Sequence, residues 1–90
     1  MSFTVVVTPF AKREASRIAM WWRTQRVEAA ALFEEAFEQV LAALTENPER
    51  GFQLRHQRRA LVLPGTGHLV VYRVRPRARR VEILSIRSPR

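Results

Sequence analysis

Residues 59–86 read RALVLPGTGHLVVYRVRPRARRVEILSI, and this stretch decides the architecture. It holds three short apolar runs rich in β-branched residues: Arg59–Leu63, His68–Val74 and Arg80–Ile86. Two turn compositions separate them, Pro64-Gly65-Thr66-Gly67 and Pro76-Arg77-Ala78-Arg79. Strands joined by links this short pair antiparallel, so the stretch predicts a three-stranded meander. The middle run is apolar nearly throughout, which places it centrally in a sheet. Side chains alternate along a strand. Val70, Tyr72 and Val74 therefore face a core, while Leu69, Val71, Arg73 and Arg75 face the other way.

Upstream, Phe3–Val7 reads as a strand. Thr8-Pro9 is a helix start, with Thr8 as N-cap and Pro9 at the first helical position. Phe10, Ala11, Ala15, Ile18, Ala19 and Trp22 recur at helical spacing, giving a first helix from Pro9 to about Arg23. A second helix begins near Val27, with Ala30, Phe33, Phe37, Val40, Leu41 and Leu44 as its apolar stripe, and ends at Asn47-Pro48. Pro48–Gln57 has no period and reads as a loop. The expected fold class is α+β in the order β-α-α-β-β-β. A helical hairpin packs on one face of an antiparallel sheet, the other face is wet, and residues 1–90 form a single domain.

The charge is unevenly spread. Residues 1–47 carry five basic and six acidic side chains; residues 48–90 carry eleven arginines and two glutamates. Arginine outnumbers lysine fifteen to one, and the formal net charge is +8. A guanidinium grips carboxylates and phosphates through a planar fork of donors, so the second half of the chain is suited to an anionic partner, either nucleic acid or an acidic protein. The chain has no cysteine, which excludes a disulfide framework and fits a reducing compartment. No apolar run approaches the roughly 20 residues needed to cross a bilayer. The start of the chain lacks a basic segment followed by an apolar core, so no secretory signal is expected and a cytoplasmic location is.

Catalytic constellations are absent from the reading. His68, at the start of a strand, is expected to be structural, and His56, in an arginine-rich loop, solvated. Gly51, Gly65 and Gly67 read as turn glycines, and Glu34, Glu35 and Glu38 as the solvated side of the second helix. The expectation is no catalytic residue, no metal and no cofactor. Trp21-Trp22 stands out: adjacent helical residues point about 100° apart, so Trp22 joins the stripe and Trp21 lies at its edge or outside, free to anchor a partner. On the sheet, Arg73 is expected on the open face, with Arg59 and Arg87 pointing the same way.

Three segments resemble one known family: ENPERG (46–51), RALVLPGTGHLVVYRV (59–74) and VEILSIRSPR (81–90). Together with the element order, they are similar to the RelE/ParE toxin superfamily of type II toxin–antitoxin systems, across essentially the whole chain. The resemblance implies a small, basic, cytoplasmic toxin linked to growth arrest and plasmid stabilisation. A cognate antitoxin with an acidic, disordered or helical tail would neutralise it in a hetero-oligomer.

The RelE branch cuts messenger RNA on the ribosome, whereas the ParE branch inhibits DNA gyrase. The RelE pattern has an arginine immediately before the "LVY" of the central strand, where this chain has Leu69, and lysines on the preceding strand, where it has Ala60 and Val62. A histidine near the end of some ribonuclease relatives would fall near Arg87. These departures favour the ParE-like branch, with a ribosome-dependent mRNA endoribonuclease as the alternative and a decayed toxin or simple basic binding domain as a third reading. Under the first reading Arg58, Arg59, Arg73, Arg87 and Arg90 meet the toxic target. Trp21, Trp22 and Arg23 form the antitoxin groove, with Arg73 and Arg87 pairing carboxylates there.

Overall fold

The structure, a computed structural model, describes residues 2–89. The first strand, β1 (Thr4–Val7), leads through Thr8 into helix α1 (Pro9–Gln25). Thr8 is extended and its hydroxyl accepts from the Ala11 N–H at 3.3 Å, which satisfies one of the free donors of the first turn. The same hydroxyl donates to the Ile83 carbonyl at 2.8 Å, so the cap also ties the helix start to the sheet.

A 3₁₀ turn (Val27–Ala29) follows, and α2 runs over Leu32–Glu46. The second helix therefore starts five residues later than its apolar stripe predicts. Residues 29–31 are alanines, which carry no stop signal, and Ala31 precedes α2 without any side-chain cap. The reversal is imposed by packing the two helices back to back.

Five strands form one sheet in the order β1-β5-β4-β3-β2, with β2 (Phe52–Gln53), β3 (Arg58–Val62), β4 (Leu69–Arg75) and β5 (Arg80–Arg87). The predicted meander is present as β3-β4-β5, with β4 central. Two features depart from expectation. β1 pairs parallel to β5, Thr4 opposite Arg80 and Val7 opposite Ile83, so the sheet has one parallel edge. Also, the expected loop 48–57 contains β2, which adds Phe52 opposite Ala60 and Gln53 opposite Arg59; two residues are too few to show a period.

The core lies between the helical hairpin and one sheet face. Ala11, Ile18, Ala19 and Trp22 of α1 and Phe33, Ala36, Val40 and Leu44 of α2 meet Val70, Tyr72, Val81, Ile83 and Ile86. A register shift lets β5 contribute both Ile83 and Ile86: Val71 pairs with Ser85 but Tyr72 with Ile83, which leaves Leu84 as an extra residue. Strict alternation would have sent Ser85 inward instead.

Tyr72 is wholly buried, and its hydroxyl donates to the Pro48 carbonyl at 2.7 Å and accepts from the Gly51 N–H at 2.9 Å. This pair of bonds fixes the segment that leads from α2 into β2. Gly51 is required there by close approach and not by a turn. A Cβ on it would meet the Ala60 carbonyl oxygen at 2.6 Å and the Tyr72 hydroxyl at 2.8 Å. Gly65 and Gly67 are turn glycines as expected, both at φ 78°.

Candidate functional site

The face of the sheet turned away from the helices carries a guanidinium cluster built by cross-strand register. Arg58 of β3 lies opposite Arg73 of β4, Arg73 lies opposite Glu82 of β5, and Arg75 lies opposite Arg80. One carboxylate serves three cations. Glu82 Oε1 accepts from Arg73 Nη2 at 3.4 Å and from Arg75 Nε at 3.3 Å, and Oε2 accepts from Arg80 Nε at 3.2 Å. Partial burial of Glu82 acts to raise its pKa. The guanidiniums of Arg75, Arg80 and Arg73 outweigh that and hold the carboxyl below its ordinary range. It is a fixed anion at neutral pH, with its lone pairs engaged.

The rest of this face is less wet than expected. Ala60 and Val71, paired across β3 and β4, are buried outside the main core, and Phe52 and Val62 beside them are exposed.

At the other end of the sheet, a cavity of about 750 Å³ opens between α1, the β3–β4 turn and the segment after β5. Its floor is His68, only 6% exposed. Trp22 Nε1–H donates to His68 Nε2 at 3.1 Å, which requires the neutral tautomer with hydrogen on Nδ1. Phe33 and Trp22 both stand edge-on to the imidazole. Burial lowers the His68 pKa, partly offset by the nearby backbone of Arg87, although Nδ1 makes no hydrogen bond of good geometry. On the wall, Glu14 Oε1 accepts from the Ile86 N–H at 2.8 Å. Trp21 is half exposed at the rim beside Arg17, Arg26 and Arg87, none of which forms an ion pair among the described residues.

The residues expected to meet a target do not form one surface. Arg73 is on the open face as expected, but its neighbour there is Arg58, which the sequence reading leaves off that face. Arg59 is a correction: it pairs with Tyr72, so it faces the helix side, where its Nη1 donates to the carbonyls of Gly51 at 2.8 Å and Glu49 at 3.2 Å. A strand read as starting one residue late leaves its parity open, and the cross-strand partner decides it. Arg87 lies opposite Leu69, at the far end of β5 from Glu82. Arg90 lies outside the described residues.

Among the groove residues, Trp21 and Trp22 border the cavity, one exposed and one buried, as their 100° separation predicts. Arg23 does not join them: it pairs with Glu34 of α2 at 3.2 Å, on the side of α1 that meets the second helix. His68 is structural and His56 exposed, as expected.

Glu82 and Glu14 were not singled out by the sequence. The signal for Glu82 was present, since it is the one acidic residue on the five strands. Among the described residues no cluster of metal-ligating side chains occurs, and no helix is long and apolar enough to cross a membrane.

Two helices packed on a five-stranded, mostly antiparallel sheet with this strand order define a fold shared with solved toxins. The chain superposes on a structure described as the chromosomal ParDE TA system from P. aeruginosa with a TM-score of 0.80 at 16% identity, covering 98% of this chain and 97% of that one. It also superposes on the intact E. coli RelBE toxin–antitoxin complex with a TM-score of 0.66 at 20% identity, covering 98% of each chain. In sequence it is 33% identical over 76 residues to Toxin RelE1 of Caulobacter vibrioides, 82% of each protein. Residues 5–90 match the family described as ParE toxin of type II toxin-antitoxin system, parDE, and the chain belongs to that family.

Proposed function

We propose that this chain is a ParE-like toxin that inhibits DNA gyrase by binding, and that a cognate acidic antitoxin neutralises it. The observation that carries the reading is the chemical state of the open sheet face. The five strands bear no histidine and a single carboxylate, Glu82, which three guanidiniums hold ionised. Ribonuclease chemistry needs a base to activate the ribose hydroxyl. A carboxylate already shared among three cations is a weak base. What such a face does well is fix an array of donors for an anionic surface.

The antitoxin reading is supported by the cavity. Half-exposed Trp21, with the free guanidiniums of Arg17 and Arg87 beside it, offers an apolar anchor flanked by cations. An acidic amphipathic helix needs that combination. Trp21 and Trp22 line its seat and Arg87 pairs a carboxylate at the rim. A tail that continued along the sheet would reach Arg73, while Arg23, paired with Glu34, stays outside this seat. An mRNA endoribonuclease is the second reading, favoured by the 33% identity to a relative named RelE1.

Purified chain incubated with gyrase, DNA and ATP decides between them. Lost supercoiling or double-strand breaks is the expected result. Messenger RNA cut in the ribosomal A site, with gyrase unaffected, would overturn the proposal.

A further inference from the structure

We infer that the end of the sheet formed by the β2–β3 and β4–β5 turns binds the phosphate backbone of duplex DNA directly. The inference goes beyond the reading above and does not require gyrase. The register carries it. Arg58 opposite Arg73, and Arg75 opposite Arg80, place the two turns at the same end of the sheet. The strands bring four arginines there, Arg58, Arg73, Arg75 and Arg80, and the turns add Arg55, Arg77 and Arg79. Against these seven stands Glu82. The balance is +6 of the chain's formal +8. Glu46 closes α2 on the helix side of the same end, where the Phe3 N–H bonds the Thr45 carbonyl, and Glu49 and Arg50 follow it.

Internal pairing does not consume this charge. Glu82 offsets one of its three partners. Arg79 is held over the Phe3 ring at 4.8 Å and donates to the Ser2 carbonyl at 3.3 Å, so it is positioned without being neutralised. Arg55, Arg58 and Arg77 form no ion pair among the described residues.

Both turns are tight. His56 and Gln57 sit at φ 61° between Arg55 and Arg58, and Arg79 at φ 51°. The two-residue His56-Gln57 turn matches the twist of its flanking strands, and in the four-residue β4–β5 turn the Arg79 N–H bonds the Pro76 carbonyl at 3.1 Å.

Spacing selects duplex DNA over a single strand. The two turns are two strand spacings apart, about 10 Å. Duplex DNA presents two phosphate rows flanking grooves roughly 6 to 12 Å wide. A single strand presents one row, and binders of single strands rely on aromatic rings that stack bases. Here Phe3 is covered by Arg79, and Phe52 stands alone on β2.

The test is anisotropy of a labelled duplex of about 20 base pairs, with the antitoxin-free chain, between about 50 and 200 mM salt. Each phosphate neutralised contributes about −0.9 to the slope of log affinity against log salt. The double variant Arg55→Ala/Arg77→Ala is expected to flatten that slope by about 2 and to weaken binding at least tenfold at low salt. The charge-matched control Lys12→Ala/Arg13→Ala, on exposed α1 positions, is expected to leave the slope unchanged. Equal loss in both variants would reduce the effect to net charge and overturn the site. So would a wild-type slope near zero, or tighter binding to single-stranded RNA of the same length. A gyrase assay that fails while the duplex assay succeeds would sink the proposed function and leave this inference standing.

Discussion

Replacing Glu82 by Gln separates what the cluster does for stability from what it does for binding. The amide keeps the shape and the acceptor oxygen but removes the charge that three guanidiniums share. Glu82 is 17% exposed, and the distances to Arg73, Arg75 and Arg80 are 3.2–3.4 Å. The arginines are a third to a half exposed, so each pair is discounted toward the surface range of about 0.2–1 kcal/mol. Three such pairs, plus the mutual repulsion they relieve, give a loss of about 1–2 kcal/mol at pH 7.

The sign with pH follows from the depressed folded-state pKa. The contribution is full above the ordinary carboxylate pKa and is lost as pH falls through the lower folded value. Urea unfolding at pH 7 should therefore show the variant destabilised, and the difference should close toward about pH 2. Salt near 1 M should shrink it as well, since screening acts within about 3 Å there. In the duplex assay the same variant should bind more tightly, because it exposes one more uncompensated cation. A variant as stable as the parent at pH 7, or one that binds duplex DNA less well, would refute the reasoning.

Three other perturbations test the frame. Tyr72→Phe removes the hydroxyl that bonds Pro48 and Gly51 and strands a buried N–H. Urea unfolding should show a loss of about 2–3 kcal/mol, and a loss under about 0.5 would mean the segment holds without it. The lowered His68 pKa means the unfolded chain binds its proton first, so thermal stability should rise with pH up to about 6.5 and then level off. His68→Gln should flatten that part of the profile, and an unchanged slope would remove His68 as its source. Trp21→Ala is expected to weaken the antitoxin complex about 30-fold, the range of an interface anchor, as read by calorimetry; a change under threefold would place the groove elsewhere.

The meander and its core face were legible because strand alternation and turn composition are local signals. Val70, Tyr72, Thr8 and Pro9 sit where those signals put them. The failures share a cause: each depended on contacts between residues far apart in the chain. Arg59 and Arg58 differ by one residue, and only the Arg58–Arg73 and Arg59–Tyr72 pairings assign their faces. Gly51 looks like any glycine after a Pro until the Ala60 carbonyl is found 2.6 Å from its missing Cβ. The Trp22–His68 bond spans 46 residues, and no spacing rule anticipates it. The extra residue Leu84 changes the parity of β5, and Ile86 reaches the core by that shift alone.

These non-local pairings also explain why one dense run of arginines in sequence becomes two different surfaces. The antiparallel register folds Arg55–Arg58 back onto Arg73–Arg80, while Arg87 is carried to the opposite end beside Trp21. Seven guanidiniums around one carboxylate repel one another, and a fold selected for stability alone would disperse them. The stabilising work is done elsewhere, by the helix–sheet core and the Tyr72 bonds. A cationic array with one carboxylate among seven guanidiniums, held on a central strand and two tight turns, is therefore best explained by an anionic surface that it meets. The apolar, tryptophan-lined end presents a different chemistry and suits a different partner. The two ends lie at opposite limits of β4 and β5, so a segment that covers Trp21 must run the length of the sheet before it can touch Glu82.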